Sequence, residues 1–467
     1  MRLAFGSARF RMSTTMNKLT LSFHGGAREV TGACYLLETD NAKILVDCGL
    51  IQGGRFCETH NSKPFGFNPK EIDALFITHA HLDHIGRIPK LVKEGFRGPI
   101  YSTPPTRDLA ELIIRDGYGI MEKEAKDCQE EITYDIPDID QAMTQWETLE
   151  YHEAMAVGDM TISLLRAGHI LGSSMVEVKV QGKKVLFTGD LGNETSLLLP
   201  PADVVNEIDY LVIESVYGDK AHIGSSDDKL ILERVMEDTA ARKGVLMIPA
   251  FATERTQDVI FELNEKVVQK RVPDMPVFVD SPLAIKITEV FEKYWPYYNE
   301  KIQTLHEEHP HLFASKGLKN TPSVEESKAI NDVPSPKVII AGSGMMTGGR
   351  ILHHLRRYLA DENSMLLITG YQAKGSLGRR ILDGADSVKI FGEEIPVRAE
   401  VLTAHGYSAH ADKDRLFNFV AHLKDSLAHV YAVQGEEEAS LALVQEVRDK
   451  LGIPADAPTL GQRVELI

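Results

Sequence analysis

Four side chains able to bind a metal stand within six residues: His79, His81, Asp83 and His84, in the run Thr78-His79-Ala80-His81-Leu82-Asp83-His84. Imidazole nitrogen and carboxylate oxygen are the ligands that catalytic zinc takes, with one position left open for water. The apolar residues 72–78 lead into the cluster and read as a strand. A strand end fixes the backbone, and the loop that follows can curl its imidazoles inward. A single histidine is more often a hydrogen-bonded core or surface group, but a cluster this dense rarely occurs without chemistry. One short motif cannot complete two coordination shells, so further ligands must come from elsewhere. Ala167-Gly168-His169-Ile170-Leu171-Gly172-Ser173 and Phe187-Thr188-Gly189-Asp190-Leu191-Gly192 each put one ligand type in a glycine-flanked turn after a strand. Each is weak alone, because most strand-end Asp and Gly residues simply make turns.

These groups need elements that bring them together. Residues 19–23, 34–38 and 43–47 read as short strands with turn signals between them, and 107–122 as a helix. Residues 160–166, 175–180 and 184–188 read as strands, the last two joined by the hairpin signal Gln181-Gly182-Lys183. After about Asp209 the texture changes. Strands at 210–214, 245–249, 277–280, 338–341 and 365–369 alternate with helices at 227–242, 253–270, 282–295 and 349–359. That rhythm indicates a parallel, doubly wound sheet. Residues 307–336 are polar and Pro-bearing, an irregular excursion. The tail returns to strands at 397–403 and 430–433 with helices at 412–424 and 437–451. An α/β domain inserted into a β-rich one explains the three textures economically.

The 467 residues are enough for two or three domains, and 43% hydrophobic with 25% charged residues is ordinary for a globular chain. The net charge of −17 argues against a broad basic footprint for nucleic acid, although a cleft can hold its own positive field, metals included. Cys34, Cys48, Cys57 and Cys128 form no CxxC pair and read as reduced, cytoplasmic thiols. No apolar run reaches the roughly 20 residues needed to span a bilayer, so no membrane is expected. The first 16 residues are basic, lack the apolar stretch of a secretory signal, and read as a disordered leader.

In this order the motifs resemble the metallo-β-lactamase superfamily, whose HxHxDH motif is followed by a His and then an Asp. The resemblance implies two zinc ions per chain. His79, His81 and His169 would hold one, Asp83 and His84 the other, and Asp190 would bridge them, while Asp47 in Leu45-Val46-Asp47-Cys48-Gly49 would orient a ligand histidine. Two zinc ions roughly 3.5–4 Å apart hold a hydroxide and suit hydrolysis of a phosphodiester, amide, thioester or lactone. The segments that follow resemble the β-CASP subfamily of RNA-processing nucleases, in its polyadenylation-endonuclease-like and archaeal or bacterial RNase branch. They are Gly25-Gly26-Ala27-Arg28-Glu29-Val30-Thr31-Gly32, Glu214-Ser215-Val216-Tyr217-Gly218-Asp219, Pro249-Ala250-Phe251-Ala252 with Arg255-Thr256-Gln257, and Asp280-Ser281-Pro282-Leu283-Ala284. Ser343-Gly344-Met345 with Thr347-Gly348-Gly349-Arg350, Gly370-Tyr371-Gln372-Ala373 and Ser408-Ala409-His410-Ala411-Asp412 complete the set.

What this resemblance implies is a metallo-β-lactamase αββα sandwich over 17–208 and 395–467, interrupted by a doubly wound β-CASP domain over 209–394. It implies a zinc-dependent ribonuclease in which a metal-bound hydroxide attacks and His410, held by Glu214, protonates the leaving oxygen. Asp83, Glu214 and His410 are then the catalytic set. The backbone of Ser343 and Gly344, with Arg255, Arg350, Lys374 and Arg379, would meet phosphate, and one of His353 and His354 could join them. Single-stranded RNA is the expected partner; the alternatives are a DNA-directed nuclease of the same subfamily and a catalytically weakened paralogue that binds nucleic acid, and the resemblance allows a homodimer. Two positions depart from the pattern. RNA-processing members carry a His-Gly-Glu segment whose histidine completes the second zinc site; this chain has Gln434-Gly435-Glu436. DNA-directed members also lack that histidine. Gln434 would be a weak metal contact, leaving the second site weak or tolerant of Mn2+. Glu254 stands where glycine is usual, beside Arg255.

Overall fold

The computed structural model describes residues 18–52, 60–128, 131–193, 196–221, 230–314, 316–370, 372–373, 375–404 and 409–467. The leader read at 1–16, Cys57 and Lys374 lie outside them.

Two seven-stranded sheets pack face to face. The first runs in the order Arg463–Leu466, Leu19–Phe23, Tyr35–Glu38, Lys43–Val46, Ala74–Phe76, Ile100–Ser102, Trp146–Thr148. The second runs Ala455–Asp456, His429–Val433, Tyr210–Glu214, Lys183–Phe187, Ser174–Val180, Met160–Arg166, Ala154–Val157. Their inner faces share one apolar core that includes Leu21, Phe23, Ile44 and Val46 from the first and Val176, Val178, Phe187 and Val433 from the second. Each such fully buried side chain contributes roughly 1.5–3 kcal/mol. Helices cover both outer faces. Ile88–Lys93 and Pro104–Cys128 pack outside the first sheet, and Lys413–His422 and Glu437–Leu451 outside the second. The layers are therefore αββα, as the resemblance implies.

Between Tyr210–Glu214 and His429–Val433, which pair in parallel, the chain leaves to build a six-stranded parallel sheet. Its order is Leu318–Asn320, Val277–Val279, Lys337–Ala341, Val245–Pro249, Met365–Ile368, Glu400–Thr403. Apolar clusters line both of its faces, as a doubly wound sheet requires. The two units are clamped together. Asp108 accepts hydrogen bonds from Lys293 at 2.6 Å and Tyr294 at 2.9 Å, and one apolar cluster runs through Leu109, Ile113, Ile285 and Phe291. No helix among the described residues is long and apolar enough to cross a membrane.

Several expectations need correction. Residues 307–336 are not simply irregular, since they hold the edge strand Leu318–Asn320 and the helix Val324–Ala329, opened by a Ser323–Glu326 capping box. By strand pairing, Tyr210–Glu214 belongs to the sandwich and Glu400–Thr403 to the inserted sheet, so both crossings fall later than 208/209 and 394/395. Composition changes where strands begin, whereas the crossing is set by which neighbour each strand pairs with. Cys34 and Cys48 are free and buried, but Cys128 is disulfide-bonded. Spacing cannot show which thiols meet in space, and the bridge removes the support that cysteine usage gave to a reducing compartment.

The strand ends are locked by close backbone contact. A Cβ on Gly49 would lie 1.5 Å from the Asp83 carbonyl oxygen, and one on Gly192 would lie 1.8 Å from that of Gly168. Glycine at these positions lets the Asp47 turn sit on the His79–His84 loop and the Asp190 turn sit on the His169 loop. Gly192→Ala must push those turns apart. It should cost about 1–3 kcal/mol in denaturant unfolding and lower the zinc content of the purified protein; unchanged values for both would refute this packing role.

Candidate metal centre

Three imidazole nitrogens converge at the rim of the sandwich. His81 Nδ1 lies 3.0 Å from His79 Nε2 and 3.2 Å from His169 Nε2. Asp190 Oδ2 lies 3.4 Å from His79 Nε2 and 3.5 Å from His169 Nε2. A tetrahedral ion with Zn–N bonds of 2.0–2.1 Å needs ligand atoms roughly 3.3–3.4 Å apart. The four groups therefore fit a divalent metal of zinc's size and preference. His79 and His81 come from the turn between Ala74–Phe76 and the short helix Leu82–Ile85, His169 and Asp190 from the turns after Met160–Arg166 and Lys183–Phe187.

Hydrogen bonds fix which nitrogen is free in two of the rings, His169 and His79. His169 Nδ1 donates to the Ala409 carbonyl at 3.1 Å, leaving Nε2 for the ion. Thr78 Oγ donates to Asp47 Oδ2 at 2.8 Å and so accepts from His79 Nδ1 at 3.1 Å, again freeing Nε2. Asp47 is fully buried, and its Oδ1 accepts the Thr78 N–H at 2.8 Å. Burial pushes all three rings below the usual imidazole range: His81 to about 4, His79 helped by the neighbouring His84, and His169 helped by His410. Their lone pairs are therefore available at neutral pH. Thr78 was not singled out in the sequence, where a threonine before the cluster carries no signal.

Asp190 has a second face. Its Oδ1 lies 3.3 Å from His84 Nε2 and accepts from the Gln434 amide at 2.9 Å. His84 Nδ1 contacts Asp47 Oδ2 at 2.7 Å. Burial opposes charge on His84, but Asp190 and Asp47 outweigh it and raise its pKa well above the usual range. Asp83 Oδ2 stands 4.0 Å from His84 Nε2, and burial, partly offset by His84, raises the Asp83 carboxyl to about 6.

Across the ion pocket, the His410 ring lies 4.5 Å from the His169 ring, and Nδ1 lies 3.4 Å from Glu214 Oε1. Glu214 is wholly buried and also accepts the Leu191 N–H at 2.7 Å. Burial lowers the affinity of His410 for a proton, but the Glu214 carboxylate more than compensates and lifts it to about 9. Burial raises the pKa of Glu214 itself, with His410 offsetting part of the rise. An imidazole whose pKa is held above its usual range thus stands beside His169, with its Nδ1 3.8 Å from Asp190 Oδ2.

Comparison with known proteins fits this geometry. Residues 36–217 match a metallo-beta-lactamase superfamily domain, 256–381 a Beta-Casp domain, and 394–458 a Zn-dependent metallo-hydrolase RNA specificity domain. A ribonuclease of Thermus thermophilus is 38% identical over 90% of this chain and 94% of its own length. The chain belongs to the β-CASP family of metallo-β-lactamase-fold proteins. Within it, the transcription termination factor FttA of Methanosarcina mazei is 32% identical over 95% of this chain and 71% of its own length. An RNase J-like protein of Methanocaldococcus jannaschii is 33% identical over 94% of this chain and 98% of its own. A crystal structure of a protein of unknown function from Enterococcus faecalis superposes with a TM-score of 0.57 at 15% identity, covering 96% of this chain and all of that one; it bears on the fold alone. This β-CASP chain is a metal-dependent hydrolase.

The residues expected to meet phosphate are engaged with the protein itself. Arg350 donates to Asp280 Oδ1 at 2.7 Å and to the carbonyls of Thr321 and Pro322 at 2.6 and 2.9 Å. His354 contacts the other Asp280 oxygen at 2.7 Å. Although burial opposes it, the bonds from His354, Ser327 and Arg350 hold the Asp280 carboxyl at about 2. Arg350 and His354 are therefore parts of a buried network that ties helix to strand end. His353 packs its ring against Phe391, and Arg379 pairs with Asp383 one turn along its helix. Arg255 is buried beside Asp258 at 3.6 Å. Ser343 Oγ accepts the N–H groups of Thr347 and Gly348, closing its own turn. A Cβ on Gly344 would meet the Phe251 ring at 2.7 Å, so that ring lies against the turn while remaining 40% exposed. Glu254 has φ +64°, the backbone reason for glycine here, and its carboxylate turns inward to accept the Leu171 N–H instead of facing a groove.

The geometry separates ligand from acid. His169→Ala should strip the metal, whereas His410→Ala should leave it bound and slow turnover by about 100-fold or more. Metal analysis of both purified variants checks this, and metal loss from His410→Ala would show that His410 is a ligand.

Proposed function

We propose that this chain is a zinc-dependent ribonuclease that hydrolyses phosphodiester bonds of single-stranded RNA to 5′-phosphate and 3′-hydroxyl ends. The observation that supports it best is the pairing of two unlike histidine environments across one pocket. His79, His81 and His169 are kept neutral for a cation, and His410 is kept protonated by Glu214. Zinc bound there supplies Lewis acidity and a water nucleophile at neutral pH. His79, His81, His169 and Asp190 would hold it, and Asp83, whose Oδ2 stands 4.0 Å from His84 Nε2, would serve as a catalytic carboxylate. His410 gives its proton to the leaving oxygen, and Glu214 keeps that proton in place and the ring oriented. Despite the net charge of −17, a metal and an imidazolium make the pocket locally positive toward phosphate.

RNA is favoured over DNA by the match of residues 394–458, which include His410 and Gln434, to an RNA specificity domain, and by the ribonuclease named among the relatives. Gln434 in place of histidine is the observation on the DNA side. Matched RNA and DNA strands decide between them: the wild type should cleave RNA faster and Asp83→Ala should cleave neither, while preferential DNA cleavage would overturn the RNA reading.

The acid role sets a pH dependence. His410 donates only while protonated, so the rate should fall as pH rises through about 9. In Glu214→Gln the raising charge is gone and burial dominates, so the falling limb should move to lower pH. A pH–rate profile with the limb unmoved would remove His410 from the acid role.

A further inference from the structure

We propose that this chain carries a single-metal centre, in which the carboxamide of Gln434 closes the second metal subsite by taking the donor atoms that would hold the ion. The proposal rests on the metal-dependent reading above and concerns how many ions that centre takes.

Gln434 follows the strand His429–Val433 and is 1% exposed. Its backbone N–H donates to the Gly26 carbonyl at 2.7 Å, and its Cγ packs on Gly26, 3.1 Å from where a Cβ would stand. The side chain is thus fixed at both its root and its flank. At its tip, Nε2 lies 2.9 Å from Asp190 Oδ1 and 2.7 Å from His84 Nε2.

Asp190 decides which way the amide faces. A carboxylate only accepts, so the group 2.9 Å from Oδ1 must be the NH2; the amide oxygen there would set two acceptors against each other. An amide nitrogen has no lone pair to offer a metal. It instead donates to Asp190 Oδ1 and stands 2.7 Å from His84 Nε2, the two atoms that a second ion would require. His84 has no alternative atom to give, because its Nδ1 is held by Asp47 at 2.7 Å. The one lone pair of Nε2 is taken whether it meets the amide N–H or carries a proton of its own. What remains for a second ion is Asp83, whose Oδ2 stands 4.0 Å from His84 Nε2, and Asp190 Oδ2, which already faces the first subsite.

The contrast within the centre carries the inference. In the first subsite three imidazole nitrogens and Asp190 Oδ2 stand within 3.0–3.5 Å of a neighbour in the set, a spacing that fits one cation. In the second, Asp190 Oδ1 already accepts from Gln434 and the same amide stands against His84 Nε2, so an ion would have to displace a buried amide and leave it unpaired.

Metal stoichiometry tests this without reference to activity. Full-length protein is loaded with excess zinc, desalted and analysed for metal and protein, and metal-free protein is titrated with zinc by calorimetry. The wild type should hold one zinc per chain. Gln434→His and the isosteric Gln434→Glu each replace the amide N–H by a ligand atom and should hold two. Two tightly bound zinc ions in the wild type, or one in both variants, would overturn the proposal while leaving a metal-dependent hydrolase in place. A wild type that takes up no zinc, like His169→Ala, would overturn the metal-dependent reading itself.

Discussion

Three imidazole nitrogens at the rim of the sandwich, that of His81 held 3.0 and 3.2 Å from the other two, with a carboxylate oxygen beside them, make a cradle for one cation. Everything near the rim of the sandwich serves to hold that arrangement ready. Asp47 grips the Thr78 backbone and hydroxyl, so the first turn of the His79–His84 loop cannot relax. The Ala409 carbonyl holds His169 by its far nitrogen. Glycine at positions 49 and 192 lets the loops approach closely enough for the rings to meet. The folding energy comes from the apolar core between the sheets, which is large enough to bear a polar rim.

Asp190 organises the electrostatics. One carboxylate oxygen faces the three-histidine cradle and the other faces His84 and Gln434, so a single side chain divides the centre into a cation-seeking half and a hydrogen-bonded half. Glu214 and His410 add a third environment within a few ångströms. Neighbouring imidazoles shift in opposite directions because burial acts on all of them and Asp190 alone does not outweigh it at His79, His81 and His169, whereas Glu214 does at His410, and Asp47 with Asp190 does at His84.

The inserted sheet uses its charged residues differently. Asp280 gathers Arg350, His354, Thr321 and Ser327 into one satisfied network at a strand end. Buried groups of this kind need complete partners, and the arginine that best resembles a phosphate contact is the one supplying them.

The sequence by itself determined the β-rich texture, the α/β insert and the metal-competent residues, and the αββα layering followed only from the family resemblance. Alternation, turn chemistry and the density of His79, His81, Asp83 and His84 are local properties that a chain displays whether or not it is folded. His410 and Glu214 were picked out only by the resemblance, since nothing local in either motif marks them, and the structure sets them 3.4 Å apart. The sequence could not show three-residue strands such as Trp146–Thr148, which are too short for a period to register. Nor could it show whether Arg350 faces a ligand or a buried carboxylate, because that depends on Asp280, 70 residues away. Tertiary structure alone decided what Gln434 does: an amide carries both a donor and an acceptor, and only the Asp190 carboxylate lying against it selects which end points into the centre.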